Sequence, residues 1–417
     1  MASAAVAPSS VPENLATPRY PLLDSLRGLA ALLVFAAHAV LYLSAFGQVG
    51  QGSPLLTRLD PGLTIFFLLS GFLLYRPFAQ ARYDSTSPPA LVPFFVRRLL
   101  RIGPVYWVIL PIIALYFGLA YVFTPDGALR FFGFMQVYDG GTITGGIGQA
   151  WTVCVEVTFY LLLPVWAWGL RRVRMRGPGQ YLRSELVPIG LVIAFSIVWK
   201  AVVFKNSDAQ GFLAAVKLEP GLYTLPAYMD ALGAGMALAV LTVWVSRTDP
   251  GSAVLRFIDR YPGAFVLGAV GLYWLSGLAG GTYDADSATG YVLHQEVNIL
   301  FATAMFLPAI FGDWHRGLTR KVLANGFLIW FAGLSYSFYL WHLGVMQAFV
   351  NAGWLEPDGP GPVPFLVLSL AISIALSAAT WYLVGRPFIR LGARLPRGRE
   401  SGDETGRSAG TEPALNR

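Results

Sequence analysis

Charged residues are scarce in this sequence: Asp, Glu, Lys and Arg make up 13% of its 417 residues, whereas 55% are hydrophobic. The mean hydropathy is +0.56, and runs of about twenty residues with almost no charge recur along the chain. Most of these runs lack a polar helical face, which excludes a water-soluble globular protein. They also lack the alternation of apolar and polar residues that a membrane β-barrel needs. We therefore predict an all-α, polytopic membrane helix bundle.

Cysteine and histidine are also rare. The single cysteine, Cys154, excludes an intrachain disulfide bond and leaves no basis for a zinc cluster. Four histidines, at positions 38, 294, 315 and 342, lack the HExxH spacing of a metal hydrolase, so no metal site is predicted. The sequence has no GxSxG elbow, Walker loop or GxGxxG fingerprint. The net charge of +7 is explained by membrane topology, and no nucleic-acid partner is predicted.

Ten apolar segments are bounded by Pro, Gly and charged residues. They cover roughly 22–46, 61–78, 102–124, 150–170, 186–204, 222–245, 262–280, 293–312, 326–350 and 363–384. An even number of spans places both termini on one side of the membrane. With this arrangement 24 Lys and Arg residues fall on the side of the termini and four on the other side. Because cytoplasmic segments are enriched in Lys and Arg, about ten transmembrane helices with both termini cytoplasmic are predicted.

The two ends of the chain differ in composition from the middle. Residues 1–20 are rich in Ala, Pro and Ser and are predicted to be a short disordered tail. A signal peptide is not expected there, because the basic segment and the cleavage site are missing. Residues 391–417 are polar and Gly-rich, and a disordered cytoplasmic tail is predicted there. No soluble catalytic domain is expected at either end. We therefore assign the chemistry to a transmembrane domain over residues 21–390.

Arg27 and His38 lie within the first apolar segment, in the stretch LDSLRGLAALLVFAAHAV. On a helix they share a face and lie about 16 Å apart along the axis, with His38 near the middle of the membrane. Arg27 is also a typical topology anchor, whereas an ionisable side chain at the depth of His38 is usually functional. A desolvated imidazole stays neutral and can accept a proton, so His38 is a candidate general base.

A cluster of arginines lies in the stretch PFFVRRLLRIGPVYW, residues 93–107. Arg97 and Arg101 are four residues apart and Arg98 and Arg101 three, so two guanidinium groups can converge on one anion. A guanidinium group matches the geometry of phosphate with two parallel hydrogen bonds. The cluster therefore indicates a phosphate-binding site, although the positive-inside bias alone also places arginines here.

Two further segments place polar side chains on otherwise apolar helices. In QAWTVCVEVTFYLLLP, Thr152, Glu156 and Tyr160 recur every four residues and form one stripe around a carboxylate. A charge at this depth is costly, so Glu156 is predicted to be functional, and the alternative is an interhelical hydrogen bond that fixes packing. In LSYSFYLWHLGV a second stripe falls within about 60° of one helix face and consists of Ser335, Tyr339 and His342. With His342 in it, this stripe indicates part of a cavity wall.

In this order and combination, these stretches resemble the acyltransferase-3 family of integral membrane O-acyltransferases, from about residue 20 to residue 390. The shared motifs are LDxLRG with Arg and His separated by ten residues, RRxxRIxPxYW, W-S/T-x3-ExxFY and SYSxYLxH. The resemblance implies three groups of site residues. The catalytic group is Arg27, His38 and Glu156. The group that binds the acyl-CoA donor is Arg97, Arg98 and Arg101. The group at the substrate is Trp151, Ser335, Tyr336, Ser337, Tyr339 and His342.

The sequence departs from its relatives at two points. Many relatives have a final ExPF motif where this chain has GRPF, so Gly385 stands at a position that is often Glu. Some relatives also carry an additional esterase-like domain, and none is expected in this chain. The resemblance therefore implies a stand-alone enzyme that meets its acceptor directly or works with a separate partner.

The residues and the resemblance together predict a membrane O-acyltransferase. It would move an acyl group, acetyl by default, from cytoplasmic acyl-CoA to a hydroxyl group, with no tightly bound cofactor. The resemblance implies a place in the bilayer of the bacterial inner (cytoplasmic) membrane and, as acceptor, a glycan, a glycolipid or a small natural product. A proton-coupled transporter of a polar or lipid-linked solute is the alternative, with His38 and Glu156 as relay groups. A phosphate site at the arginine cluster favours the enzyme, because a proton relay needs none.

Overall fold

The computed structural model describes residues 20–48, 59–207, 219–249, 252–278, 287–313 and 317–395, and these residues form helices and turns with no strand among them. The helices are α1 (Pro21–Ala45), α2 (Pro61–Tyr83), α3 (Leu91–Tyr116), α4 (Pro125–Phe132), α5 (Trp151–Arg171), α6 (Pro178–Asn206), α7 (Met229–Thr248), α8 (Ala253–Arg260), α9 (Pro262–Leu278), α10 (Ala288–Ile310), α11 (Leu318–Leu323), α12 (Gly326–Asn351), α13 (Pro362–Thr380) and α14 (Arg386–Ala393). The N-terminal tail before Tyr20, the C-terminal tail from residue 396 and His315 lie outside the described residues.

Seven helices within the described ranges are long and apolar enough to cross a membrane. They are α1, α2, α3, α5, α6, α7 with the turns before it from Pro220, and α13 continued through α14 to Ala393. Helices α10 and α12 are also long, at 23 and 26 residues, but they are not among these seven, and α10 contains the polar residues Glu296 and Asn298. An all-helical membrane protein is therefore confirmed. The count of ten spans and the cytoplasmic position of both termini stay predictions.

Helix α3 begins earlier than the apolar pattern indicates. The predicted span starts at residue 102, whereas the helix starts at Leu91 and includes the whole arginine cluster. Pro93 is compatible with this start, because the first turn of a helix needs no backbone N–H at that position. The arginines are therefore held on a rigid helix that continues into the membrane.

Glycines let the central helices approach each other closely. A Cβ atom at Gly71 of α2 would overlap the carbonyl oxygen of Leu232 in α7, and one at Gly235 of α7 would overlap the carbonyl oxygen of Leu68 in α2. Likewise, a Cβ atom at Gly28 of α1 would lie 2.6 Å from the carbonyl oxygen of Leu328 in α12. Small residues at helix crossings are a main source of packing energy between helices in lipid. These contacts fix α1, α2, α7 and α12 around the centre of the protein.

Replacing Gly71 by alanine is expected to destabilise the protein, because the new methyl group would push α2 away from α7. Overpacking of a tight contact costs about 1–3 kcal/mol, so a lower Tm of the purified protein should be measured. Gly268→Ala is the matched control, because Gly268 is a helical glycine with no atom near its Cβ position. An unchanged Tm for Gly71→Ala would contradict this packing.

Two buried ion pairs tie α6 to its neighbours. Lys200 of α6 pairs with Asp230 of α7, and both side chains are 2% exposed. Arg82 of α2 donates from Nη1 to Oε1 of Glu185 in α6 over 2.6 Å, and Tyr75 donates to the other oxygen of Glu185. Buried charges are tolerated when they are paired and hydrogen-bonded, so these contacts position α6 against α2 and α7.

Candidate active site

A cavity of about 110 Å³ lies among α1, α2, α3, α5 and α12, and we call it the arginine cavity. Its polar lining includes Arg27, Ser70, Arg98, Arg101, Glu156 and Tyr160. Three guanidinium groups around one carboxylate give this cavity a net positive charge. Its volume lies below the roughly 300–1,000 Å³ of typical small-molecule pockets, so it suits a slender chain better than a whole nucleotide.

The three arginines of the predicted cluster do not share one environment. Arg98 and Arg101 line the arginine cavity, together with Arg27 from α1. The Nε atom of Arg98 is buried and has no hydrogen-bond partner among the described residues. Arg97 does not line this cavity, and its backbone and side chain lie beside Gly392 of α14. The structure therefore brings Arg98 and Arg101 together with Arg27 and places Arg97 against another helix.

The polar stripe of α5 faces the arginine cavity along its whole length. Thr152, Glu156 and Tyr160 are all lining residues. Ser70 of α2 donates a hydrogen bond of 2.6 Å to Oε1 of Glu156, which fixes the carboxylate. The sequence analysis missed Ser70, because a single serine in the apolar segment FFLLSGF gives no signal of its own. Glu156 therefore lies beside the guanidinium groups, where it partly offsets their charge.

A second and larger cavity, of about 870 Å³, lies further along the same helices, and we call it the histidine cavity. His38 and Trp151 line it, so α1 and α5 each reach both cavities. Trp151 packs against Tyr223 and Tyr228, with ring centroids 4.9 Å and 5.3 Å away, and these tyrosines also line the cavity. The volume and the mixture of aromatic and polar groups are typical of a small-molecule site.

His38 lines the histidine cavity and contacts His342, which is fully buried and lines neither cavity. His38 Nδ1 lies 2.9 Å from the carbonyl oxygen of Val34 and 3.2 Å from Nε2 of His342. His342 Nδ1 lies 3.1 Å from the carbonyl oxygen of Phe338. A carbonyl oxygen only accepts, so in the neutral rings each Nδ1 carries a hydrogen, and the hydrogen on His38 Nδ1 is shared between the Val34 carbonyl oxygen and His342 Nε2. This assignment leaves Nε2 of His38 without a proton and able to act as a base.

Carboxylates on the histidine cavity were not assigned to the site from the sequence. Asp60 lines the cavity, and its Oδ2 atom lies 2.5 Å from Nε2 of His294 and 3.0 Å from Nδ2 of Asn298. Asp230 lines the cavity too, and Lys200 neutralises it. Asp60 directly precedes Pro61 at the start of α2, where an acidic residue is common as a helix cap, so its position gave no sign of a cavity.

The two cavities meet at shared residues. Leu63 and Phe67 of α2 and Tyr339 of α12 line both of them. The Tyr339 hydroxyl group donates to the carbonyl oxygen of Gln149 over 2.8 Å and lies 2.8 Å from the hydroxyl group of Thr152. Gln149 Nε2 in turn donates to the carbonyl oxygen of Leu340 over 3.0 Å. These bonds join α12 to the start of α5 and hold Tyr339 at the junction of the cavities.

The other residues of the late motif divide between two faces of α12. Ser335 and Tyr336 line the arginine cavity, and the Tyr336 hydroxyl group donates to the carbonyl oxygen of Ile102 in α3. Ser337 lines neither cavity, and its hydroxyl group faces the carbonyl oxygen of Ser377 in α13 at 3.1 Å. Ser337 is therefore placed as a packing contact between helices.

Gly385 lies in the π turn Trp381–Gly385 and lines neither cavity. A Cβ atom there would lie 2.9 Å from the Trp381 ring and 3.3 Å from the Val105 side chain. A larger residue would have to displace these side chains, so in this chain the turn packs against α3 without an acidic group.

The arrangement separates an anion site from a base. Guanidinium groups line one cavity, an unprotonated imidazole nitrogen belongs to the other, and the two cavities share a wall. An anionic donor and a hydroxylated acceptor can therefore approach the same point from opposite directions. Among the described residues no three His, Cys, Asp or Glu side chains converge to hold a metal ion.

Comparison with known proteins gives matches over most of the chain. A family model described as "Acyltransferase domain", that of the acyltransferase-3 family, matches residues 20–382. Nodulation protein 10 of Rhizobium leguminosarum bv. viciae is 25% identical over 388 residues, which cover 86% of this chain and 92% of that protein. Acyltransferase MdmB of Streptomyces mycarofaciens is 31% identical over 176 residues, which cover 38% of this chain and 42% of that protein.

A third relative comes from Staphylococcus aureus strain MRSA252 and is named as an O-acetyltransferase. It is 21% identical over 408 residues, which cover 91% of this chain and 59% of that longer protein. No solved structure gives a significant match. The family match, the relatives and the membrane-spanning helices agree, and the chain belongs to the acyltransferase-3 family of membrane acyltransferases.

Proposed function

We propose that this protein transfers an acyl group, acetyl by default, from acyl-CoA to a hydroxyl group of an acceptor in the histidine cavity. The donor enters at the arginine end of the bundle and the acceptor from the opposite end. The observation that carries this proposal is that the two cavities meet at Leu63, Phe67 and Tyr339, with His38 on the acceptor side.

The donor side is supported by the charge of the arginine cavity. Acyl-CoA carries phosphates at one end and the thioester at the end of a slender pantetheine arm. Arg27, Arg98 and Arg101 attract the phosphates, and the narrow cavity admits the arm but not the nucleotide. Helices α2 and α5 also end at this side, with Arg82 and Arg171 near their last turns. Because cytoplasmic segments are enriched in arginine, these residues support a cytoplasmic position for the arginine end of the bundle.

The reaction uses His38 as a general base. Nε2 of His38 takes the proton from the acceptor hydroxyl group while the hydroxyl oxygen attacks the thioester carbonyl carbon. The carbon–sulfur bond then breaks, and the leaving thiolate receives the proton from His38, which restores the neutral ring. His342 is a positioning residue, because it accepts from Nδ1 of His38 and so keeps Nε2 as the basic atom.

Glu156, which the resemblance places in the catalytic group, is assigned here to the donor side. It lines the arginine cavity and not the histidine cavity, so it lies on the donor side of Tyr339. We assign it the role of holding the guanidinium groups apart and oriented, together with Ser70. The resemblance suggests a glycan, a glycolipid or a small hydroxylated natural product as the acceptor, in the bacterial cytoplasmic membrane or the cell envelope outside it.

Thiol release tests the proposed function directly. Purified protein in lipid nanodiscs is mixed with acetyl-CoA, and free thiol is measured with and without glycan and metabolite extracts of the source cells. Thiol release that depends on such an extract, with a matching acetyl group found by mass spectrometry, is the expected result. The extracts are taken from cells in which deletion of the gene changes an acetylated compound. If no such extract causes thiol release, acetyl-CoA is not the donor.

Arg98→Gln and Arg101→Gln are each expected to raise the KM for acetyl-CoA by about 10-fold or more, because a hydrogen bond to a charged group contributes about 1.5–3 kcal/mol. At saturating donor the kcat should fall much less. Arg97→Gln is the matched control, because Arg97 has the same charge and helix but does not line the cavity. Equal KM values for all three variants and the wild type would show that these arginines serve topology only.

A further inference from the structure

A cleft of about 460 Å³ lies beside the turn that joins α5 to α6, next to the end of α2, and we call it the α5–α6 cleft. Its charged lining is made of Arg82 at the end of α2, Arg171 at the end of α5 and Arg174 in the turn to α6. It shares no lining residue with the arginine cavity or the histidine cavity. The cleft is therefore lined separately from both cavities of the proposed mechanism.

The charge of the cleft is not balanced within the described part of the chain. Arg82 is 5% exposed and is neutralised by Glu185, but its buried Nε atom has no hydrogen-bond partner among the described residues. Arg171 and Arg174 have no carboxylate partner among these residues. Arg171 is held in place by a hydrogen bond of 3.0 Å from its Nη1 to the carbonyl oxygen of Thr86. The cleft thus has two excess positive charges and fixed donors.

The start of α6 adds to the positive potential. Gly177 and Pro178 line the cleft, and α6 runs for 29 residues from this point. No side chain of the described residues caps this end of the helix. A helix N-terminus without a cap has free backbone N–H groups and a partial positive charge, and it favours a phosphate group. The helix end and the arginines thus act on the same space.

The level of the cleft relative to the bilayer indicates the source of a bound phosphate group. Trp168, one turn before the end of α5, is 57% exposed, and the guanidinium group of Arg172 lies 3.4 Å from its ring centroid. An exposed Trp beside arginines is typical of the headgroup level of a bilayer. Basic pockets between membrane helices at this level bind anionic lipid headgroups.

We propose that the α5–α6 cleft binds the headgroup phosphate of an anionic phospholipid. Arg171 and Arg174 provide the charge, Arg82 adds a buried guanidinium group, and the exposed start of α6 adds positive potential. The acyl chains lie against the exposed apolar surface of α5 next to Trp168. This inference does not depend on the proposed function, because the cleft has no residue in common with the catalytic cavities.

The test measures Tm in nanodiscs of phosphatidylcholine alone and with one fifth phosphatidylglycerol. Phosphatidylglycerol is expected to raise the Tm of the wild type by about 3 °C. The double variant Arg171→Gln, Arg174→Gln should lose this rise, whereas Arg172→Gln should keep it, because Arg172 stacks on Trp168 and does not line the cleft. Native mass spectrometry of the same samples counts the retained phosphatidylglycerol.

Two results would overturn the lipid assignment. An equal rise of Tm in the wild type and the double variant would show that the lipid acts elsewhere. Coenzyme A and inorganic phosphate are added separately to discs of phosphatidylcholine to identify the other sources of phosphate. A rise caused by either of them through Arg171 and Arg174, with none from phosphatidylglycerol, would show that the cleft binds a soluble phosphate.

Discussion

His38→Ala is expected to lower the rate of acetyl transfer by about 10²- to 10⁴-fold, the usual contribution of a general base. His38 lines the histidine cavity and has Nε2 as its basic atom, because its Nδ1 atom already contacts Val34 and His342. Removal of the ring leaves the acceptor hydroxyl group with nothing to take its proton. The measurement is thiol release from acetyl-CoA at saturating donor, with equal amounts of folded protein.

Two comparison variants separate chemistry from folding in this experiment. Ser337→Ala changes a polar side chain on the neighbouring helix α12 that lines neither cavity, so its rate should equal that of the wild type. His342→Gln should lower kcat less than His38→Ala and leave the KM for acetyl-CoA unchanged, because His342 acts only through His38. A His38→Ala protein that transfers acetyl groups at the wild-type rate would exclude the base mechanism.

Arg320→Met is expected to cause the largest loss of stability of any single substitution considered. The Arg320 side chain is fully buried and donates from Nε to the carbonyl oxygen of Pro308 and from Nη2 to that of Phe311. Its Nη1 atom pairs with Asp259 over 2.9 Å. Methionine would remove the cationic partner of Asp259, which keeps only the backbone N–H of Asp313, and would leave two buried carbonyl groups without this donor. Each buried group left unsatisfied costs about 1–3 kcal/mol. A much lower Tm should be measured.

The neighbouring residue provides the control for Arg320. Lys321→Met removes the same charge from the same short helix, but Lys321 is exposed, so its Tm should change little. Arg320 lines neither catalytic cavity, so the Arg320→Met protein that remains folded at low temperature should keep the wild-type KM for acetyl-CoA. A Tm equal to that of Lys321→Met would contradict the importance of this ion pair.

Periodicity predicted which residues share a helix face but not which helix each face contacts. The stripe of Thr152, Glu156 and Tyr160 follows from the helical repeat alone, and all of it lines one cavity. Arg97 and Arg98 are neighbours in sequence, about 100° apart around α3, and no local pattern shows which of them turns toward Arg27. That choice depends on α14 packing beside Arg97.

Contacts between residues that are distant in sequence were the part of the site that the sequence analysis could not predict. The contact of His38 with His342 joins residues 304 positions apart, and that of Ser70 with Glu156 joins residues 86 apart. A single sequence contains no information on such pairs unless a motif supplies it. The motifs identified His38, His342 and Glu156, whereas Ser70 belongs to no motif and was found only from the structure.

Hydropathy described the membrane helices better than their ends. Each of the ten predicted segments contains a helix, but the start of α3 was placed too late because the arginine cluster was taken as a boundary. Charged residues usually mark the end of a span, whereas here Arg98 and Arg101 line a cavity inside the bundle. Polar residues that face a cavity thus disturb both the count and the limits of spans.

A structure of the His38→Ala variant with acetyl-CoA is the most direct test of donor and acceptor meeting between the two cavities. We expect the nucleotide at the arginine end, near Arg98 and Arg101, and the thioester carbonyl group at Tyr339, facing the space left by His38. A nucleotide in the histidine cavity, or a thioester that stays on the arginine side of Tyr339, would contradict the proposed path of the donor.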